Sequence, residues 1–94
     1  MNIRRLLLDV DKALARPSLF EIGDAISACR GVEAMNITLG DVDAETMGLE
    51  VTIEGANLNY AEIAKAIEKS GAVVHGVEQI ISGERIIERA ERAR

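Results

Sequence analysis

From Thr46 to Glu54 apolar and polar residues alternate without a break: Met47, Leu49, Val51 and Ile53 fall on one side, and Gly48, Glu50, Thr52 and Glu54 on the other. Successive side chains of a strand point to opposite faces, so this segment can fold only as a strand with one face buried. Residues 3–12 repeat the pattern, with Leu6, Leu8 and Val10 opposed to Arg5, Leu7, Asp9 and Asp11. Residues 32–40 do so again, with Met35, Ile37 and Leu39 opposed to Ala34, Asn36 and Thr38. The acidic turn Asp41-Val42-Asp43-Ala44-Glu45 joins the second alternating segment to the third, which makes them a hairpin.

Two segments switch to helical spacing. Pro17-Ser18 opens a helix whose stripe is Leu19, Ile22, Ile26 and Cys29, stopped by Gly31. Asn59, with Glu62 three residues on, has the form of a capping box for a second helix with Ile63, Ala66 and Ile67 inward, ended by Gly71. Residues 72–81 supply a last strand, but the doublets Val73-Val74 and Ile80-Ile81 leave its two faces unassigned. The order is β-α-β-β-α-β, an α+β ferredoxin-like fold with an antiparallel sheet ordered 4-1-3-2 and both helices on one face. Residues 1–83 form that domain. Residues 84–94 read as its C-terminal helical tail, with Ile86, Ile87, Ala90 and Ala93 on one side.

Several stretches carry a resemblance: the opening IRRLLLDV, then GVEAMNITLGDVDAET, the strand VTIEG, and VVHGVEQIISGERI. As a set they resemble the archaeal "domain of unknown function two-hundred-and-eleven" family, over residues 3 to about 87. The resemblance implies a ferredoxin-like fold, a cytoplasmic protein and a ring-like or otherwise multi-subunit homo-oligomer. It implies no activity and transfers no catalytic residue.

Charge and composition remove whole classes of function. The chain has 94 residues, one domain's worth, and a net charge of −5. Residues 1–83 hold 13 acids and 7 bases, a surface that repels nucleic acid and anionic membrane. Ferredoxin-like RNA binders stack bases on aromatics of the two central strands, and those strands have none here: Phe20 and Tyr60 are the only aromatics in the chain. The single cysteine, Cys29, excludes an internal disulfide and agrees with a cytoplasmic setting. After the basic opening, the apolar run Leu6-Leu7-Leu8 ends at Asp9, too short for a signal peptide, and no stretch is long enough to span a membrane. Zinc spacing, phosphate loops and nucleophile–base pairs are absent, so an enzyme is not expected and no catalytic residue is assigned.

What remains is carboxylate chemistry on the helix-free face. Asp9 and Asp11 on the first strand, Glu50 on the third, and Asp41, Asp43 and Glu45 in the turn converge at one end if the strand order holds. Alternate carboxylates suit hard cations with oxygen ligands, so these six residues are a candidate Ca²⁺ or Mg²⁺ site; the glycine and terminal Glu of an EF-hand loop are missing. His75 is a candidate ligand beside them if it faces the same way. The reading is therefore a homo-oligomeric assembly and interaction protein that partners itself, with a divalent cation as candidate ligand. The alternative is a regulatory sensor similar to amino-acid-binding domains of this fold, with small ligands held between subunits.

Overall fold

The computed structural model describes residues 1–91. Its elements are β1 (Ile3–Ala13), α1 (Leu19–Ser27), β2 (Val32–Val42), β3 (Thr46–Gly55), α2 (Tyr60–Ser70) and β4 (Val73–Ser82). The strands form one antiparallel sheet ordered β2-β3-β1-β4, the expected order read from its other edge. The fold is ferredoxin-like, with both helices on one face.

Helix boundaries follow local chemistry. Ser18 caps α1: its hydroxyl accepts from the Glu21 N–H at 3.1 Å, and the Glu21 carboxylate accepts from the Ser18 N–H at 2.9 Å. Asn59 caps α2 by accepting from the Glu62 N–H at 3.0 Å. Glu62 does not return the bond; its carboxylate turns toward Arg30, 3.6 Å away. Gly71 closes α2 at φ +107°. Helix α1 ends earlier than the glycine suggested, at Ser27. Gly31, at φ +85°, instead carries the chain into β2, where its carbonyl accepts from the Ala56 N–H at 3.1 Å. A Cβ on Gly55 would overlap the Gly31 carbonyl oxygen, so this close crossing of two backbones depends on Gly55.

The helix-side face of the sheet is a set of cross-strand rows. Met35, Ile53, Leu6 and Ile80 form one; Ile37, Val51, Leu8 and Val77 the next; Leu39, Leu49, Val10 and Val74 a third. The inner two members of each row are fully buried beneath Ile22 and Ile26 of α1 and Ile63 and Ile67 of α2. The outermost members on both edges are not. A fourth row, Val42, Met47 and Lys12, lies at the hairpin end. Lys12 is only 6% exposed there, and its ammonium donates to the Ala13 and Leu14 carbonyls at 2.8 and 3.0 Å. Length explains the uneven cover. A nine-residue helix spans about 14 Å, whereas an eleven-residue strand spans about 36 Å. The sheet therefore overhangs α1.

The C-terminal helix expected over residues 84–94 is not present in its described part, 84–91; Ala93 lies outside the described residues. A segment this short does not hold helix without tertiary support. Here Arg5 takes the Glu88 carboxylate at 2.8 Å and draws the segment across the open face of the sheet.

Candidate functional site on the open face

The period-two pattern places Arg5, Leu7, Asp9 and Asp11 on the face without helices, and the register pairs them with Glu54, Thr52, Glu50 and Gly48 of β3. Arg5 meets Glu54 at 2.8 Å. Asp9 stands directly opposite Glu50, two like charges on neighbouring strands, an arrangement that costs stability when nothing neutralises it.

At the hairpin end of this face lies a depression of about 330 Å³ lined by Asp9, Asp11, Asp41, Asp43 and Glu50, together with Glu78. Gly40 and Gly48 also line it, and a Cβ on Gly48 would reach within 3.8 Å of the Asp11 carboxylate, so the hollow owes its depth to missing side chains. Five of the six carboxylates singled out in the sequence thus share one surface; Glu45 does not line it. Asp41 reaches it from within β2, because that strand runs on to Val42 and shortens the turn.

Asp43 already has a structural task. Its carboxylate accepts from the Glu45 N–H at 2.9 Å, the Thr46 N–H at 2.8 Å and the Thr46 hydroxyl at 3.1 Å, closing the turn. These bonds, the one from Glu45 foremost, hold its carboxyl below the usual carboxylate range. The side chains around the hollow come from all four strands and the hairpin turn, with Asp9 and Glu50 facing each other in one row and Asp11 in the next. Among the described residues, no three His, Cys, Asp or Glu side chains are placed so that they could hold a metal ion.

His75 does face the open side. Its Nδ1 lies 3.3 Å from the Asp11 carboxylate, one row from Asp9, and its ring is mostly exposed. The reason is irregular pairing. Leu7 and Leu8 of β1 face Gln79 and Val77, and Asp9 and Val10 face Gly76 and Val74, so β4 carries one extra residue at Glu78 and another at His75. Each is a bulge, and each extra side chain turns to the acidic end. Sequence periodicity missed Glu78 for the same reason that it could not assign the faces of this strand.

The other end of the open face is apolar. Ile81 pairs with Arg5 and is 5% exposed, yet it stands apart from the main core. Leu7, Ile81, Ile87 and Glu88 line one groove, so the tail lies along the sheet of its own chain. Among the described residues no helix is long and apolar enough to cross a membrane. Cys29 is buried among helix residues, and desolvation pushes its thiol upward, away from the reactive thiolate.

Comparison with known proteins agrees with this anatomy. An uncharacterised protein of Methanocaldococcus jannaschii, MJ0319, is 35% identical over 87 residues, which is 93% of this chain and 89% of that protein. The family model described as "Uncharacterized ArCR" matches residues 4–94, so the chain belongs to the archaeal family of domain of unknown function 211.

Proposed function

We propose that this protein works as a self-assembling interaction module, a homo-oligomer in a cytoplasmic setting. One observation carries the reading. Exposed apolar side chains lie on both edge strands, where association would cover them. Light scattering at micromolar concentration tests this: a multiple of 10.1 kDa is expected, and a monomer mass rejects the reading.

A second reading, divalent-cation binding, is favoured by the convergence of Asp9, Asp11, Asp41 and Glu50 on one hollow with Asp9 against Glu50. It requires these side chains to close on a common point. A bound cation would stabilise the fold by about 2.7 kcal/mol at a hundredfold excess over its dissociation constant. Millimolar Ca²⁺ should therefore raise the melting temperature more than a sodium salt of equal ionic strength. Identical melting curves in the two salts reject this reading and leave the first untouched.

A further inference from the structure

The tail crosses the open face in one direction, fixed by three contacts. Gly83, at φ +123°, turns the chain back from β4 and donates its N–H to the Asn2 carbonyl at 2.8 Å. Glu88 then meets Arg5 at 2.8 Å. Arg89 comes next and lines one groove with Leu7 and Glu78. Asn2, Arg5 and Leu7 succeed one another toward the hairpin end of β1, so the tail runs toward the acidic hollow.

Glu78 belongs to both places. It is the extra residue of a bulge, and it lines the tail's groove on one side and the hollow on the other. The end of that groove is thus the rim of the hollow, and the side chain that the tail brings to the rim is a guanidinium. Two kinds of cation can use one carboxylate there: Arg89 from the tail, and an ion that enters among Asp9, Asp11, Asp41 and Glu50.

The tail is also held in a way that lets it leave. Its clasp is an ion pair to an exposed carboxylate, which salt screens and which contributes little. Its apolar contact, Ile87, is 67% exposed. Releasing Glu88 does not strand Arg5, because Arg5 Nε and Nη2 keep Glu54 at 2.8 Å. The guanidinium is paired whether the tail is down or up, so opening leaves no orphaned charge behind.

We propose that residues 84–91 are a displaceable strap that competes with a divalent cation for the hollow: closed, the strap presents Arg89 to Glu78, and a cation that takes the Glu78 carboxylate loosens it. This rests on the cation-binding reading above and names how that site is regulated. Linkage makes the effect mutual: the factor by which opening the strap tightens the ion is the factor by which the ion opens the strap.

Calorimetric titration of the full chain with Ca²⁺ alone tests this, with Glu88→Ala and Arg89→Gln beside the wild type and Arg85→Gln as control. Glu88→Ala separates the strap from the general field. It removes a negative charge from the open face, which by field alone weakens Ca²⁺ binding; by unclasping the strap it should instead tighten binding about threefold. Arg89→Gln should tighten it by at least as much. Arg85→Gln loses the same charge at the start of the tail, before the clasp, and should tighten it clearly less. In the other direction, Ca²⁺ should move the Ile81 methyl resonance of the wild type toward its position in Glu88→Ala; Ile81 pairs with Arg5, away from the hollow, and so reports the strap rather than the ion. Weaker or equal binding in Glu88→Ala, or equal gains in Arg85→Gln and Arg89→Gln, overturns the strap while the cation reading stands. Absence of Ca²⁺ binding in all four proteins overturns both.

Discussion

Arg5 Nη1 lies 2.8 Å from Glu88 Oε1, so a side chain on the first strand ties down a residue 83 positions later. The same guanidinium also holds Glu54 on β3. Glu88 is exposed and brings little energy of its own. Its effect is to lay the tail beside Ile81, which would otherwise leave a buried-sized aliphatic side chain on the open face.

Truncation after Gly83 should therefore uncover Ile81 and lower stability by about 1–2 kcal/mol. In a domain this size that corresponds to a drop of roughly 4–16 °C in melting temperature. Because the tail lies on its own chain, subunit number should not change. A stable truncated protein would mean Ile81 is sheltered by the sheet alone, and a loss of subunits would mean the tail reaches a neighbour.

The acid side of the stability profile should report three carboxylates. Hydrogen bonds from Glu45 and Thr46 lower Asp43, those from Ser18 lower Glu21, and that from Arg5 lowers Glu88. Each folded value lies under the unfolded one of about 3.9 for Asp or 4.3 for Glu. The stabilisation is then complete above those unfolded values and is lost as pH falls through the folded ones. Melting temperature should be level near neutrality and fall below about pH 4. Asp43→Asn and Glu21→Gln together should flatten that fall. Parallel profiles for variant and wild type would show that the acid transition comes from other groups.

Gly55→Ala should destabilise by about 2–3 kcal/mol, because the new methyl would overlap the Gly31 carbonyl and force two backbones apart. Gly76→Ala is the control. Nothing stands within 4 Å of a Cβ built there, so its change should stay within about 0.5 kcal/mol. Equal urea midpoints for the two variants would contradict the close crossing.

Lys12→Met keeps the stem of the side chain and removes the ammonium that serves the Ala13 and Leu14 carbonyls. Leaving these acceptors unserved should cost about 1–3 kcal/mol. A lower urea midpoint with an unchanged slope is the expected result. An unchanged midpoint would mean that water replaces the ammonium.

Most of the sheet was legible because its signal is local. Leu6, Leu8 and Val10, or Leu49, Val51 and Ile53, repeat every second residue, and that repeat alone fixes which face is buried. Strand order followed from handedness and connection length. The acidic hollow was legible to the extent that it follows from register: Asp9 falls against Glu50 because Arg5 falls against Glu54. The misses share one cause, a long-range contact overriding a local pattern. Two bulges break the period of β4, so Val74, Val77 and Ile80 share a face at a spacing of three. The tail has helical spacing, yet Arg5, far away in sequence, holds it otherwise. Lys12 is a separate case: it falls on the inner face by the alternation, and the carbonyls that serve its ammonium are those of the next two residues, Ala13 and Leu14, which the alternation does not show.

The central position of β1 has a consequence for how the chain comes into being. It is synthesised first, but its hydrogen-bonding partners are residues 46–55 on one side and 73–82 on the other. While the chain is still growing, Leu6, Leu8 and Val10 wait without a sheet to enter, and the β2–β3 hairpin can close before them. The slot for β1 is complete only when β4 has emerged. Such distant pairing slows folding because loop closure precedes its reward. The passage through which this protein is most exposed to wrong partners is thus the interval between the synthesis of its first strand and its last.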